Sequence, residues 1–137
     1  MYTPIGPSLS LARVDRLVQL ATCVDISPGP GGSRMSDYAE TEKVFGPDIA
    51  DLFPGRYHVT VVALYPSSQI VAHRDPAIRG RRYHLPLALD PFCWVFSDGT
   101  WQQLEVGQIY QMDPTLWHGS VNWGALRRLH LLVDCAG

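Results

Sequence analysis

Apolar and polar positions divide the chain into a short helical part and a longer strand-forming part. Between residues 10 and 24, Leu11, Val14, Leu17, Val18 and Ala21 recur at helical spacing, with Arg13, Asp15, Arg16 and Gln19 on the other side. This predicts one amphipathic helix, with Ser10 available as its cap. The run Ser27-Pro-Gly-Pro-Gly-Gly-Ser33 combines missing donors with fixed and free φ, and predicts a loop serving as a lid or a connector. Residues 36–52 admit a short helix near either end, divided by Gly46-Pro47. From residue 56 the period changes. Tyr57, Val59, Val61 and Ala63 alternate with His58, Thr60, Val62 and Leu64, so both faces are partly apolar and a largely buried strand is expected. Further strands are expected over 69–73, 82–89, 92–97, 100–104, 107–112, 116–121 and 126–134, with Asp98-Gly99 as a hairpin turn. Short strands in this number, without alternating helices, favour a mainly β fold. The expected form is an antiparallel jelly roll, or double-stranded β-helix, with one or two short N-terminal helices.

Length fits this picture. A chain of 137 residues, 46% of them apolar, is one domain's worth of material. We expect a helical and loop extension over 1–55 and a jelly-roll catalytic core over 56–134. Twelve glycines and eleven prolines suit short strands joined by tight turns. A formal net charge of −2, with 18% charged residues, gives no field to attract nucleic acid or an anionic membrane. Cys23, Cys93 and Cys135 are odd in number and lack C-x-x-C spacing, which suits a reducing compartment. No basic-then-apolar leader and no run of about 18 apolar residues is present, so a cytoplasmic protein is expected.

The candidate chemistry lies in the strand-forming part. His73 and Asp75 stand two apart at the end of a predicted strand and so project to one side. His118 follows a proline turn where the strand pattern resumes. Two histidines and one carboxylate on one face of a metal leave the opposite positions open, as iron(II) requires to bind an organic cosubstrate and dioxygen. Zinc fits the same ligands without activating oxygen. An isolated H-x-D pair is also consistent with a solvated surface pair. The cationic residues around it change the weighing. Arg82 and His84 share a strand face, and Arg128 opens the apolar run Arg128-Leu-His-Leu-Leu-Val-Asp134. A guanidinium in such a strand needs a carboxylate, from a dicarboxylate cosubstrate or from Asp90 or Asp134. For Arg128 the ligand is favoured, while ion pairing remains open for Arg127.

In order and spacing, Tyr65-Pro66, His73-Arg-Asp75-Pro, Arg82-Tyr-His84-Leu, Glu105-x-Gly107, His118-x-x-x-Asn122 and Arg128-Leu-x-Leu-Leu-Val-Asp134 resemble the aspartyl/asparaginyl β-hydroxylase family of 2-oxoglutarate oxygenases. The resemblance implies a double-stranded β-helix, iron(II) as cofactor, 2-oxoglutarate as cosubstrate and dioxygen as oxidant. It implies His73 and His118 as iron ligands, Arg128 on the far carboxylate of 2-oxoglutarate, and Arg82 and His84 at its metal-proximal end. Asp75 is a departure, since the best-known animal members lack a carboxylate there and many bacterial relatives have one. The substrate implied is an Asp or Asn side chain of a peptide or protein, or a free amino acid such as proline. Arg74, Arg79, Arg81 and Trp117 are candidates to receive it. His58 and His130 read as structural, and Trp94, Trp101, Trp117 and Trp123 as core or rim residues. The competing readings are a non-redox, cupin-like metal or small-ligand-binding module and a purely structural assembly protein. Neither gives Arg82, His84 and Arg128 a shared purpose.

Overall fold

A computed structural model describes residues 1–29, 31–76 and 80–136. In chain order its elements are β1 (Thr3–Ile5), α1 (Leu11–Ala21), β2 (Ile26–Pro28), β3 (Ser33–Ser36), α2 (Tyr38–Ile49), β4 (Arg56–Leu64), β5 (Ser68–His73), β6 (Arg81–Ala88), β7 (Cys93–Ser97), β8 (Thr100–Gln102), β9 (Ile109–Met112), β10 (His118–Asn122) and β11 (Arg128–Cys135). A seven-stranded sheet runs β1-β9-β6-β11-β4-β3-β2, and a four-stranded sheet runs β5-β10-β7-β8. Every strand pairing among the described residues is antiparallel. This is the expected jelly roll, with β4 to β11 at the eight places read from the sequence.

The large sheet is apolar on one face and mixed polar and apolar on the other. Val59, Val61 and Ala63 of β4, Leu85 and Leu87 of β6, and Leu129, Leu131 and Val133 of β11 form one core with Leu17 and Leu20 of α1 and Phe45 and Ile49 of α2. The alternate residues turn toward the small sheet. Val62, Arg82, His84, Arg128 and Leu132 all line one cavity there. Period-two alternation therefore sends the chemistry to one side and the main apolar core to the other.

Helix α1 starts where expected, with Ser10 Oγ accepting from Arg13 N at 3.2 Å. Two expectations in the N-terminal part are corrected. Helix α2 is continuous through Gly46-Pro47, with Asp37 as its cap. Arg56 crosses to this helix, donating to Glu42 (Nη2 to Oε1, 2.8 Å) and to the Gly46 carbonyl at 3.4 Å. Tertiary contacts hold the last turn where local propensity would end it. The Ser27–Ser33 run, of which Pro30 lies outside the described residues, is also strand at both ends, because β2 and β3 form a hairpin on the edge of β4. Gly32 N donates to Gln69 O of β5 at 3.0 Å, and a Cβ at Gly31 (φ +60°) would stand 2.4 Å from that same oxygen. Only glycine allows this approach, which fastens the hairpin to the opposite sheet. Asp98 (φ 47°) and Gly99 (φ 84°) form the predicted turn between β7 and β8. No helix among the described residues is long and apolar enough to cross a membrane.

Candidate active site

His73 closes β5 and His118 opens β10, and the two residues are partners across that strand pair. A register shift follows between His118 and Ser120. Gly119 permits it, since a Cβ there would lie 2.6 Å from Ile70 O. The imidazole rings are 4.3 Å apart. Each is oriented by its own backbone, His73 Nδ1 on Val71 O and His118 Nδ1 on Leu116 O, both at 2.8 Å. A carbonyl only accepts, so Nδ1 carries a proton in each ring, and in the neutral form Nε2 is the atom that presents a lone pair.

Asp75 faces those lone pairs. Its Oδ2 lies 3.7 Å from His73 Nε2 and 3.4 Å from His118 Nε2. The Asp75 main chain is anchored by donation to Pro114 O at 2.7 Å. All three ligand atoms fall within 4.8 Å of one another. Burial is the leading cause of a lowered His118 pKa, which favours the neutral, ligating form at neutral pH. Two neutral nitrogens and one carboxylate oxygen, converging on a point open to a cavity, fit a divalent iron centre.

That cavity, about 450 Å³ in volume, is also lined by Arg74, Arg82, His84 and Arg128. The two inward arginines differ sharply. Arg82 Nε donates to Asp134 Oδ1 at 2.8 Å and Arg82 Nη1 to Asp75 Oδ2 at 2.7 Å, so its charge is met by two carboxylates. Cross-strand register already places Arg82 opposite Asp134. Arg128 is 3% exposed, its Nε has no hydrogen-bond partner, and no carboxylate pairs with it among the described residues. The ionisable groups acting on it are Tyr2 and Cys93. Burial raises the pKa of both, to about 12 for Tyr2, so both are neutral at neutral pH. Burial also pushes Arg128 down to about 10, leaving it charged. An uncompensated buried cation costs several kcal/mol. Asp90, the other candidate partner, instead accepts from the backbone amides of Phe92, Ala125 and Leu126.

His84 carries a defined proton. Its Nδ1 lies 3.1 Å from His130 Nδ1, and burial together with the Arg128 charge, joined at His84 by that of Arg82, holds both rings neutral. His130 Nε2 is buried without a partner. A proton there would leave an unsatisfied donor, at a cost of about 1–3 kcal/mol. The shared proton therefore belongs to His130 Nδ1, which donates to His84 Nδ1. His84 then carries Nε2–H, a donor without an acceptor among the described residues. His130 is thus a structural histidine that fixes its neighbour's tautomer.

At the rim, Arg74 sits over the exposed Trp117 ring, 5.3 Å from its centroid. Arg81 is exposed and lines a separate depression with Gln111 and Asp113. Arg79 lies outside the described residues. The sequence reading did not assign Tyr2, Ser33, Met35 and Tyr38 to the site, although all four line the cavity. They come from the N-terminal third, where Tyr2 precedes the three-residue β1, Ser33 and Met35 lie on the four-residue β3 and Tyr38 opens α2, so no strand periodicity marks them.

Residues 47–137 match the aspartyl/asparaginyl β-hydroxylase family. The chain belongs to that family. As a member it is an oxygenase of the iron(II)- and 2-oxoglutarate-dependent class. Among curated proteins none matches the chain. Solved structures with the same fold include an oxidoreductase of the 2OG-Fe(II) oxygenase family from Burkholderia pseudomallei, with TM-score 0.71 and 14% identity, covering 99% of this chain and 88% of that one. A prolyl hydroxylase from Trichoplax adhaerens, in complex with a hypoxia inducible factor oxygen degradation domain peptide fragment, gives 0.70 at 11% identity, covering 98% and 83%. The viral collagen prolyl hydroxylase of Paramecium Bursaria Chlorella virus-1, as its 2OG complex, gives 0.69 at 13% identity, covering 97% and 94%. At these identities the likeness is one of fold.

Proposed function

We propose that this β-hydroxylase family member hydroxylates an unactivated C–H bond of an aspartyl or asparaginyl side chain in a peptide or protein, or of a free amino acid. His73, Asp75 and His118 hold iron(II). Arg128 takes the far carboxylate of 2-oxoglutarate, and His84 donates from Nε2 toward its metal-proximal end. Arg82 braces Asp75 as well as facing the cavity. Bound iron(II) would supply the chemistry that splits dioxygen, with 2-oxoglutarate as the reductant, so that one oxygen atom would enter the C–H bond and the other succinate as carbon dioxide leaves. The protein's own residues bind and orient, and no general base is required.

The observation that carries this reading is Arg128, a buried cation without a counter-anion in the same cavity as a two-histidine, one-carboxylate cluster. A cupin-like module that only binds a metal gives that arginine no purpose. Family membership supports the Asp or Asn target, and the open rim beside Arg74 and Trp117 suits an acidic or amide side chain.

Anaerobic addition of iron(II) and 2-oxoglutarate should give a weak visible charge-transfer band, and admission of oxygen should then release succinate. Folded, metal-loaded protein giving neither would sink the proposal. Mass spectrometry of Asp-, Asn- and Pro-containing peptides and the free amino acids, scored for a one-oxygen gain, identifies the target. Gain on proline alone would overturn the Asp or Asn assignment.

A further inference from the structure

The outer face of the four-stranded sheet, turned away from the cavity, collects every tryptophan of the chain. Cross-strand register sets Val121 beside both Gln69 and Trp94, and Gly119 beside Phe96, which in turn pairs with Trp101. Partners across a strand pair and alternate residues along a strand share a face, so these positions lie on the side opposite His118 and Ser120, which line the cavity. Backbone hydrogen bonds from Trp123 N to Phe92 O at 3.1 Å and from Asp98 N to Trp117 O at 2.8 Å extend the β7–β10 ladder past both ends in the same register. Phe92, Trp117 and Trp123 thereby join the same surface. None of the four tryptophans belongs to the core.

Packing within the chain does not account for this surface. Phe92 and the four tryptophans are 38–63% exposed, and no element among the described residues covers them. None of the outward positions on β5, β7, β8 and β10 carries a charge, whereas the solvated face of an antiparallel sheet is ordinarily polar. Single exposed apolar residues are common, but a contiguous aromatic face marks an interaction site. At its centre Gly119 has no side chain, which leaves a groove of about 290 Å³ flanked by Val71, Phe96 and Trp101.

We propose that a second copy of this chain docks on this face across a two-fold axis, giving a homodimer in which the tryptophans of both copies are buried. Area, charge and shape select this occupant. The exposed fractions of the five rings, with Val71, present roughly 500–750 Å². That approaches the roughly 800 Å² each partner contributes to a stable interface. The face has no charge with which to hold an anionic lipid surface or a charged partner, and interface cores are likewise depleted of charge. Its shape supplies both halves of a fit, projecting indole rings and a groove without a side chain. A two-fold axis sets the rings of each copy against the groove of the other, the self-complementary arrangement of most homodimers. Two apolar sheet faces packed in this way interdigitate their side chains as the layers of a β-sandwich do.

Sedimentation equilibrium of the full chain at micromolar concentrations should give twice the chain mass. Because every tryptophan lies on the face, intrinsic fluorescence reports the same event, and dilution should move the emission to longer wavelength as the dimer parts. Trp101→Glu brings one charge from each copy into the apolar interface and should sediment as a single chain, with its circular dichroism unchanged. Trp123→Glu, just past the end of β10, should do the same, so the outcome does not depend on one variant folding. Leu11→Glu adds the same charge on α1, beyond the large sheet, at a residue 80% exposed, and should stay dimeric. A wild type of single-chain mass throughout would overturn the proposal, and its co-sedimentation with phosphatidylcholine vesicles would give the face to a lipid surface instead. A dimer that survives both tryptophan variants would place the interface elsewhere and overturn it equally.

Discussion

Arg82 donates, at 2.7 Å, to the same Asp75 oxygen that faces the His73 and His118 imidazoles. The other edge of the guanidinium is tied to Asp134, itself 1% exposed. Arg82 is therefore set to orient the Asp75 carboxylate, the ligand proposed above, a role distinct from gripping the cosubstrate. Arg82→Lys removes the two-sided fork, and the expected loss is about ten- to a hundredfold in iron(II) affinity, the usual cost of removing a ligand's supporting hydrogen bond. Anaerobic metal titration checks this. Loss of 2-oxoglutarate affinity with iron affinity intact would return Arg82 to the cosubstrate.

His118→Ala removes a proposed ligand whose Nδ1 is fixed by Leu116 and whose position depends on the Gly119 bulge. The charge-transfer band and succinate formation should both vanish, while circular dichroism stays native, because the large apolar core lies on the other face of the seven-stranded sheet. Gly119→Ala should act similarly. Its methyl would collide with the Ile70 carbonyl and push β10 away from β5, so iron binding should fail although every ligand is present.

How far the site could be read from sequence depends on the distance between partners. Parity along one strand placed Arg82 with His84, because alternation survives any three-dimensional arrangement. His73 and Asp75 were visible as a local pair. Asp134 was weighed, with Asp90, as a counter-ion for Arg127 and Arg128, and its pairing with Arg82 was missed, since that depends on the β6–β11 register, which no local signal encodes. Tyr2 was invisible, because β1 gains its structure from β9, more than a hundred residues away. Helix α2 was misjudged at Pro47 because Arg56, from the following strand, compensates for a local defect.

Arg128 carries a trade between stability and function. Replacing it with Met removes a buried, unpaired cation while keeping much of its volume. Unfolding free energy should rise by roughly 1–4 kcal/mol, and 2-oxoglutarate binding should fall by at least about a hundredfold. Chemical denaturation with and without ligand tests both parts. Wild type should gain stability on adding iron(II) and 2-oxoglutarate together, and Arg128→Met should not. A destabilised variant that still bound 2-oxoglutarate would show that Arg128 is structural.

The His84–His130 pair predicts a stability profile in mild acid. Both pKa values are lowered well below the ordinary 6.5, mainly by burial, so below pH 6.5 the unfolded chain takes up protons that the native state refuses. Stability from these groups is complete above about pH 6.5 and declines as the pH falls. The limiting slope is about 1.4 kcal/mol per pH unit for each proton. Buried His118, shifted in the same direction, adds to the effect in metal-free protein. Asp90 and Asp113 are also held below their ordinary value of 3.8, so their effects fall in a lower, separable range. Urea denaturation of metal-free protein at pH 7.5, 6.5 and 5.5 should show the decline, and His130→Asn should reduce it. In that variant the side-chain amide can still donate to His84 Nδ1, so 2-oxoglutarate affinity at pH 7.5 should remain within about threefold of wild type. His130→Leu removes the donor and frees the tautomer, so affinity should fall about tenfold although the substitution is apolar and of similar size. Equal affinities in the two variants would show that His130 does not set the proton on His84.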